Sequence, residues 1–343
     1  MNKESRYAKQ MQFEPIGREG QQRLMQSRVA IIGCGALGSA AAELLVRAGV
    51  GTIHLADRDY VEMSNLHRQQ LFTEADAEVM NPKVVAAYDR LKAIRSDVEV
   101  MTYAEHVDAM LMEQLAAQCD LIIDATDNFE TRLLINDAAY RKGVPWIYGA
   151  CVGSTGRVYP FLPDDKEAPC FRCLLPTLPS VNATCENAGI IAPAVQITAS
   201  YQCSEALKWL TGERKAMRRK MLHFDVWNSG QMEIGILRMK NGQCMTCGEV
   251  PSFPSLSRDQ ADKSAVLCGR NAVQLMPGAG RKITLEEAEK LAQKLKLKHK
   301  RTPYFMELHY EGNRWMLFEQ GRLIIHGIQD MEEGRRAFHR LFG

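Results

Sequence analysis

The sequence lacks any long hydrophobic run. No apolar stretch in its 343 residues approaches the roughly 18–20 residues that a membrane-spanning helix needs. The first residues, Met1 to Tyr7, are mostly polar and contain no apolar core of a secretory signal peptide. Neither a membrane protein nor a secreted protein is therefore expected, and we predict a cytoplasmic location.

A large excess of charge of either sign is also missing. The chain has 43 Lys and Arg against 41 Asp and Glu, which gives a formal net charge of +2. Non-specific nucleic-acid binding depends on a strong basic field, so no nucleic-acid partner is expected. Internal repeats and low-complexity tracts are absent, and a hydrophobic content of 46% is that of an ordinary globular protein with a large core.

Cysteine is abundant for a chain that shows no sign of secretion. Four of the 10 cysteines form two Cys-x-x-Cys pairs, Cys170 with Cys173 and Cys244 with Cys247. Thiols stay reduced in the cytoplasm, and four thiolates in two such turns suit a closed tetrahedral Zn²⁺ site. The 70 residues between the pairs exceed the spacing of a short zinc finger, so zinc would join two distant segments. The alternative is two unrelated pairs.

Apolar strands alternate with helical periodicity through the first half of the chain. The pattern predicts strands at 29–32, 52–56, 98–103, 119–124 and 145–148, and helices at 39–47, 82–94 and 128–142. This alternation predicts an α/β fold, a Rossmann-like, doubly wound and mostly parallel sheet with helices on both faces. Beyond Pro160 we predict an irregular zinc-stapled segment to residue 185, a buried helix over 188–210, and antiparallel strands at 221–225 and 232–237.

The last part of the chain has a different pattern. A loop-rich stretch around residue 255 separates a main domain, 1–250, from a small α+β module, 255–343. In that module Thr284 and Glu287 form a capping-box signature ahead of a helix, and three alternating segments predict strands.

A Gly-x-Gly-x-x-Gly loop at residues 33–38 follows the first predicted strand and opens a helix. Its glycines, Gly33, Gly35 and Gly38, permit a tight turn and a close approach of backbone to a nucleotide. Asp57 ends the second strand, 24 residues after Gly33, where a carboxylate accepts ribose hydroxyls. Taken alone, this pattern is a weak signal, and its default interpretation is an NAD-dependent dehydrogenase.

Polar residues at the ends of the predicted strands favour a different chemistry. A dense polar run covers residues 57–69, Lys83 begins a helix, and Asp127 follows a later strand. Arg68 and Lys83 supply cations for phosphate groups, and Asp127 supplies a carboxylate for Mg²⁺. Such a set suits phosphoryl or nucleotidyl transfer better than hydride transfer, because displacement at phosphorus needs positioning and charge neutralisation.

The motifs at Arg6–Gln10, Gly33–Gly38, Ser64–Gln69 and Asp124–Asn128, with both cysteine pairs, resemble the ThiF/MoeB/HesA family of ubiquitin-activating-enzyme-like adenylyltransferases. The resemblance extends from Arg6 to about Cys247. It implies ATP-dependent adenylylation of the C-terminal glycine carboxylate of a ubiquitin-fold sulfur-carrier protein that ends in Gly-Gly, with release of pyrophosphate before thiocarboxylate formation. A ThiS-like carrier of thiamin thiazole biosynthesis is favoured; a MoaD-like carrier of molybdenum cofactor biosynthesis is the alternative.

The resemblance also implies roles for individual residues. Asp57 would hold the ribose, Asn65, Arg68 and Lys83 would face the phosphates, and Asp127 would bind Mg²⁺. The residues that it assigns to nucleotide binding are Lys9, Gly33, Gly35, Ala36, Gly38, Asp57, Asp59, Asn65, Arg68, Gln69, Lys83, Asp127 and Asn128. Those assigned to catalysis are Arg68, Lys83, Asp127 and Cys185.

Two positions bear on the family's assembly and sulfur chemistry. Lys9 stands where the family usually has an arginine that reaches the partner's phosphates in a homodimer. A lysine keeps the positive charge of that arginine but cannot make the guanidinium's paired hydrogen bonds to one phosphate. The resemblance would place Cys185 in a loop that crosses over the adenylate site, where ThiF-like members can link a cysteine to the carrier through sulfur. A bystander thiol is the alternative. The resemblance also allows a cysteine desulfurase as the sulfur source.

The C-terminal module resembles the tail of ThiF/MoeB-like proteins of Bacillus-type bacteria and lacks the active-site cysteine loop of a rhodanese. Three other functions stay open at this point. They are an NAD-dependent oxidoreductase, a non-catalytic zinc-stapled scaffold for a ubiquitin-like partner, and a peptide-modifying adenylyltransferase of the same family.

Overall fold

A computed structural model describes residues 3–177, 189–257, 265–267, 272–275, 283–302, 304–319 and 321–343. The chain divides into two compact units, Met1–Ser257 and Arg258–Gly343. Within the described residues, no helix has both the length and the hydropathy required to cross a membrane.

An eight-stranded mixed sheet forms the centre of the first unit. Its strands are β1 (Arg28–Ile32), β2 (Thr52–Ala56), β3 (Glu99–Tyr103), β4 (Leu121–Asp124), β5 (Trp146–Val152), β6 (Thr155–Phe161), β7 (Met221–Asp225) and β8 (Gly230–Ile234). Their spatial order is β3-β2-β1-β4-β5-β6-β7-β8, with parallel pairing from β3 to β5 and antiparallel pairing from β5 to β8. This confirms the predicted Rossmann-like sheet with antiparallel strands.

Ten α-helices lie in the described part of the first unit. They are α1 (Lys3–Arg6), α2 (Ala8–Met11), α3 (Gly17–Gln26), α4 (Ala36–Ala48), α5 (Glu74–Glu78), α6 (Lys83–Ile94), α7 (Ala109–Gln118), α8 (Phe129–Lys142), α9 (Phe171–Leu174) and α10 (Ala192–Thr211). Local signals fix their ends. The Asn128 side chain caps the start of α8, and left-handed Gly49, Gly143 and Gly212 end α4, α8 and α10.

The first sheet is buried on both faces. Successive residues of a strand point to opposite faces, so Ile31 and Ile32 of β1 enter separate apolar clusters. The cluster around Ile31 includes residues of α4, α6 and α10, and the cluster around Ile32 includes residues of α7 and α8. Burial on both faces is what a doubly wound parallel sheet requires, and it leaves the strand ends as the accessible edge.

The prediction of an irregular segment over 160–185 was wrong at its start. Strand β6 runs through Pro160, which lies opposite Ile147 of β5. β7 pairs with β6 only over Thr155–Val158. Pro160 lies beyond these residues, so its lack of an N–H removes no hydrogen bond to β7. Helix α9 also lies in this segment, and the rest of it, residues 178–185, is outside the described residues.

The second unit contains an antiparallel sheet and two helices in its described residues. The strands are β9 (Ala265–Leu267), β10 (Ala272–Leu275), β11 (His299–Arg301), β12 (Phe305–Tyr310), β13 (Asn313–Phe318) and β14 (Leu323–His326), and the helices are α11 (Leu285–Lys294) and α12 (Met331–Phe342). The order is β11-β12-β13-β14-β10-β9. Thr284 and Glu287 form the predicted capping box, and Trp315 is fully buried in an apolar cluster that includes residues of both helices. The predicted α+β architecture is confirmed.

Candidate nucleotide and metal sites

The first candidate site lies at the carboxyl ends of β1, β2 and β4. The connection from β1 leads to β2 on one side, while β4 pairs with β1 on the other. This reversal of strand order is the switch point at which open α/β sheets bind ligands. The glycine loop follows β1, Asp57 follows β2, and the Asp124–Asn128 turn follows β4.

The glycine loop is packed too tightly for any side chain at two positions. Gly33 has φ +94°, and a Cβ there would lie 2.6 Å from the carbonyl oxygen of Ala125. A Cβ at Gly38 would lie 1.9 Å from the carbonyl oxygen of Gly33. These glycines therefore allow the loop, the β4 turn and the first turn of α4 to meet, with Gly35 and Ala36 at the start of that helix.

Asp57 joins the glycine loop to the polar segment after β2. One oxygen, Oδ2, accepts a hydrogen bond from the Cys34 backbone N–H at 2.6 Å, and Oδ1 accepts one from Asp59 N–H at 2.7 Å. A carboxylate has about four lone-pair sites, so these two bonds leave acceptor capacity for a ligand hydroxyl. Asp57 thus fixes the loop and still presents an acceptor.

Lys83 is a buried cation at the first position of α6. Its side chain is 6% exposed, and Nζ lies 3.5 Å from Asp59 Oδ2. Its backbone N–H donates to the Asp59 carbonyl at 2.9 Å, which places the start of α6 beside the β2 turn. A buried charge must be paired, and Asp59 supplies the pairing.

Gln69 and Asn65 are also buried in the polar segment, 4% and 8% exposed. Gln69 Oε1 has no hydrogen-bond partner among the described residues, and Nε2 lies 3.8 Å from where a Cβ on Gly35 would be. Buried polar atoms are nearly always satisfied. An unpaired acceptor on a side chain beside the glycine loop therefore fits a site whose ligand supplies the missing donor.

Arg68 and Asp127 are more accessible than Lys83. Arg68 Nη1 donates to the Ser64 carbonyl at 2.9 Å. Asp127 is exposed at the turn after β4, where the Asn128 side chain donates to Asp127 Oδ1 at 3.3 Å while its own Oδ1 accepts from Thr131 N–H at 2.8 Å. Asn128 therefore holds both the helix start and the carboxylate beside it.

A buried ion pair supports this turn and was not singled out from the sequence. Arg132 Nε donates to Asp124 Oδ2 at 3.0 Å, and the Arg132 and Asp124 side chains are 7% and 0% exposed. Burial raises the pKa of Asp124, and the Arg132 guanidinium and the Thr126 hydrogen bonds oppose that rise. The available signal was an aspartate ending an apolar strand with an arginine in the following helix.

Two predicted residues are not brought to this edge by described contacts. Lys9 lies exposed on α2, and its side chain donates to Gln12 at 3.4 Å. Cys185 lies outside the described residues. Cys34, inside the glycine loop, is fully buried; burial raises the pKa of its thiol, so it fills space there and does not act as a nucleophile.

The four predicted metal ligands do come together. The sulfurs of Cys170, Cys173, Cys244 and Cys247 all lie within 4.8 Å of one another. Cys170 Sγ is 3.6 Å from Cys244 Sγ, and Cys173 Sγ is 3.5 Å from Cys247 Sγ. Ligands 2.3 Å from a tetrahedral Zn²⁺ are about 3.8 Å apart, so this cluster has the dimensions of a zinc-binding set.

Comparisons with known proteins agree with the resemblance seen in the motifs. The ThiF family profile matches residues 7–246. The chain is 44% identical to the sulfur carrier protein ThiS adenylyltransferase of Bacillus subtilis (strain 168), over 98% of this chain and 99% of that protein. It is 36% identical to the molybdopterin-synthase adenylyltransferase of Escherichia coli (strain K12), over 71% of this chain and 96% of that protein.

Solved structures share the fold. Escherichia coli MccB, crystallised with ATP, aligns with a TM-score of 0.57 at 21% identity, over 67% of this chain and 68% of that chain. PaaA aligns with a TM-score of 0.58 at 28% identity, over 68% of this chain and 82% of that chain. Because the family profile spans more than two thirds of the sequence and the near full-length relative is 44% identical, this chain belongs to the ThiF family.

Proposed function

We propose that this protein adenylylates the C-terminal carboxylate of a ThiS-like sulfur-carrier protein, with ATP as the second substrate. The observation that carries the proposal is the convergence, at one edge of the sheet, of the glycine loop, Asp57, the Lys83–Asp59 pair and Asp127. Similarity along nearly the whole length to a ThiS adenylyltransferase supports the choice of substrate.

The proposed reaction is a displacement at phosphorus. A carboxylate oxygen of the carrier attacks the α-phosphorus of ATP, and the bond from that phosphorus to the leaving pyrophosphate breaks. Negative charge accumulates on both sides, so fixed cations lower the barrier. Lys83 and Arg68 fill that role here, Asp57 accepts from the ribose, and the Gly35–Ala36 turn packs on the nucleotide with Asn65, Gln69 and Asn128 around it.

Two metal ions are part of the proposal. Asp127 would hold Mg²⁺, which when bound would supply positive charge to neutralise the phosphates. The four-cysteine cluster holds Zn²⁺ in a closed structural site, since its sulfur spacing fits a tetrahedron and all four positions are thiols. Thiolate ligands need reduced cysteines, which supports a cytoplasmic location.

The choice between carriers is supported by coverage. The ThiS adenylyltransferase of Bacillus subtilis aligns with 98% of this chain and therefore includes the second unit, whereas the molybdopterin-synthase adenylyltransferase aligns with 71%. A ThiS-like carrier is accordingly our first choice, and a MoaD-like carrier is the alternative. We assign the chemistry to the main domain, 1–250, and treat 255–343 as an extension.

Assembly and sulfur transfer complete the proposal. The protein acts as a homodimer in which Lys9, exposed on α2, reaches the partner's nucleotide phosphates. A cysteine desulfurase supplies sulfur to Cys185, and that sulfur displaces AMP from the carrier's acyl-adenylate to form a link between Cys185 and the carrier. These three points derive from the family resemblance.

We expect the protein to catalyse exchange between ATP and labelled pyrophosphate only when a carrier ending in Gly-Gly is present. Asp127→Ala should lower the exchange rate about a hundredfold or more, because a metal-held phosphate contributes several kcal/mol to the barrier. Asp127 is exposed, so the variant should keep its unfolding temperature. ThiS-like and MoaD-like carriers are assayed separately.

Asp89→Ala, which removes an exposed carboxylate from α6, is the matched control and should exchange at the parent rate. Normal exchange by folded Asp127→Ala would contradict the role of Asp127. A folded protein that gives no exchange with either carrier would overturn the proposed function.

Removing zinc with a chelator should lower the stability of the first unit. A ligand present at a thousand times its Kd stabilises a fold by about 4 kcal/mol, which corresponds to about 8–16 °C in unfolding temperature for a domain of this size. Calorimetry before and after chelation, with zinc content measured by elemental analysis, tests this. An unchanged unfolding temperature after complete zinc loss would argue against a structural metal.

A further inference from the structure

Beneath the cysteine cluster lies a buried carboxylate that the proposed function does not use. Asp137, in the middle of α8, is 0% exposed. Its Oδ2 accepts hydrogen bonds from Arg172 Nη2 at 2.7 Å and from the Ser255 backbone N–H at 2.9 Å. Its Oδ1 accepts a hydrogen bond from the Thr246 hydroxyl. One carboxylate thus receives three donors from two distant segments of the chain, besides Asn136 Nδ2 of its own helix, which donates to Oδ1 at 3.5 Å.

Two of these donors come from inside the Cys-x-x-Cys turns. Arg172 lies between Cys170 and Cys173, and Thr246 lies between Cys244 and Cys247. Arg172 Nε also donates to the Thr246 hydroxyl oxygen at 2.9 Å, so the two turns contact each other as well as Asp137. The positions between the cysteines therefore bind one carboxylate, while the cysteines themselves face the cluster.

Neighbouring contacts hold the same two turns. Asn136, also fully buried on α8, accepts from the Phe171 N–H at 3.0 Å. Arg172 Nη2 donates to the Ser255 hydroxyl at 2.8 Å, and Lys240 Nζ donates to the carbonyls of Ala168 and Cys247 at 3.2 and 3.1 Å. All of these bonds join protein groups to protein groups, and none passes through a sulfur.

We propose that Asp137 is a positioning residue that holds the two cysteine turns in binding register before the metal arrives. Without it, metal binding would have to bring together turns separated by 70 residues and bear the ordering cost itself. With it, the sulfurs are already at ligand spacing. Asp137 thereby acts on metal affinity through Arg172 and Thr246, without contacting the metal.

The test is zinc affinity, measured by competition with a chelator of known affinity on the full chain. Asp137→Asn keeps the shape of the side chain but removes its charge and one acceptor oxygen. Groups that orient metal ligands typically contribute 10–100-fold to metal affinity, and we expect a loss in that range. We also expect the cysteines of the metal-free variant to react faster with a thiol reagent than those of the metal-free parent.

Ser255→Ala is the matched control. It removes the hydroxyl contact to Arg172 and keeps the backbone N–H that binds Asp137, so zinc affinity should stay within about threefold of the parent's. Should Asp137→Asn fail to fold, Thr246→Val removes one donor from the second turn at nearly constant volume. It should weaken zinc binding in the same direction.

A purely structural role gives a different result. Asp137→Asn would then lower the unfolding temperature equally with and without zinc, leave the zinc affinity unchanged, and leave the thiol reactivity of the metal-free protein unchanged. That outcome overturns the inference. Because this inference rests on the proposed zinc site, the zinc content of the parent is measured first. A parent that binds no zinc overturns the zinc site and this inference together. Equal zinc affinity in parent and variant overturns this inference alone.

Discussion

Replacing Arg132 with methionine is expected to destabilise the first unit by about 3–5 kcal/mol. The Asp124 side chain is 0% exposed and depends on the Arg132 guanidinium for charge compensation. Removing one partner of a buried pair leaves the other charge uncompensated in a low-dielectric interior. Arg132 Nη2 also donates to the Thr126 and Gly149 carbonyls, at 2.6 and 3.2 Å, so their bonds are lost as well. Urea unfolding followed by circular dichroism measures the change.

Two further variants isolate the charge effect. Arg141→Met removes an arginine from the same helix, but its partner Glu113 and Arg141 itself are partly exposed, so the change should stay within about 0.5 kcal/mol. Adding Asp124→Asn to Arg132→Met removes the uncompensated charge and should restore part of the lost stability. A cost below about 1 kcal/mol for Arg132→Met would show that the pair does not support the fold as described.

Replacing Lys83 with methionine should have the largest effect on the proposed reaction. We expect carrier-dependent pyrophosphate exchange to fall about 10²–10³-fold, the usual cost of removing one preorganised electrostatic contact to a developing charge. Lys83 suits this role because its ammonium is buried and held beside Asp59, so its position is set before ATP binds. Exchange kinetics at saturating ATP and carrier measure the effect.

Lys83→Arg and Lys92→Met serve as controls. The arginine keeps the charge in a different shape and should retain part of the activity. Lys92 lies in the last turn of the same helix, where it donates to the Ser96 and Val98 carbonyls, so Lys92→Met perturbs α6 at its far end and should leave exchange unchanged. Equal losses in Lys83→Met and Lys92→Met would point to damage to the helix and away from a role at phosphate.

Elements with strong local signals were predictable from the sequence. β2 and β7 have the predicted bounds, and α8 begins after Asn128, where the predicted helix starts. The hydrophobic pattern predicted these elements correctly because their packing in the folded protein is consistent with that pattern. The four-cysteine cluster was predictable for a different reason. Thiol chemistry identifies metal ligands whatever their separation along the chain.

Features that depend on tertiary contacts were not predictable in this way. β6 contains Pro160, and a proline in the sequence argues against a strand. Only the structure shows that Pro160 lies beyond the residues of β6 that pair with β7. Helix α7 went unpredicted although Asp108 caps it. Asp137 lies 109 residues from Thr246, and nothing in either local sequence predicts their contact. Each residue of such a buried polar network has a local sequence that is typical of an ordinary helix or turn.

β8 lies at the outer edge of the first sheet, where pairing between copies of this protein would begin in concentrated solution. An edge strand presents backbone groups that another strand can pair with, and Met232 of β8 is 56% exposed. β8 is only five residues long, however, and Glu233 within it lies 2.8 Å from Arg218 and 4.0 Å from Lys220. A second copy pairing along this edge would bring charged side chains of the two copies close together, which disfavours such pairing. The edge is thereby protected against self-association into extended sheets.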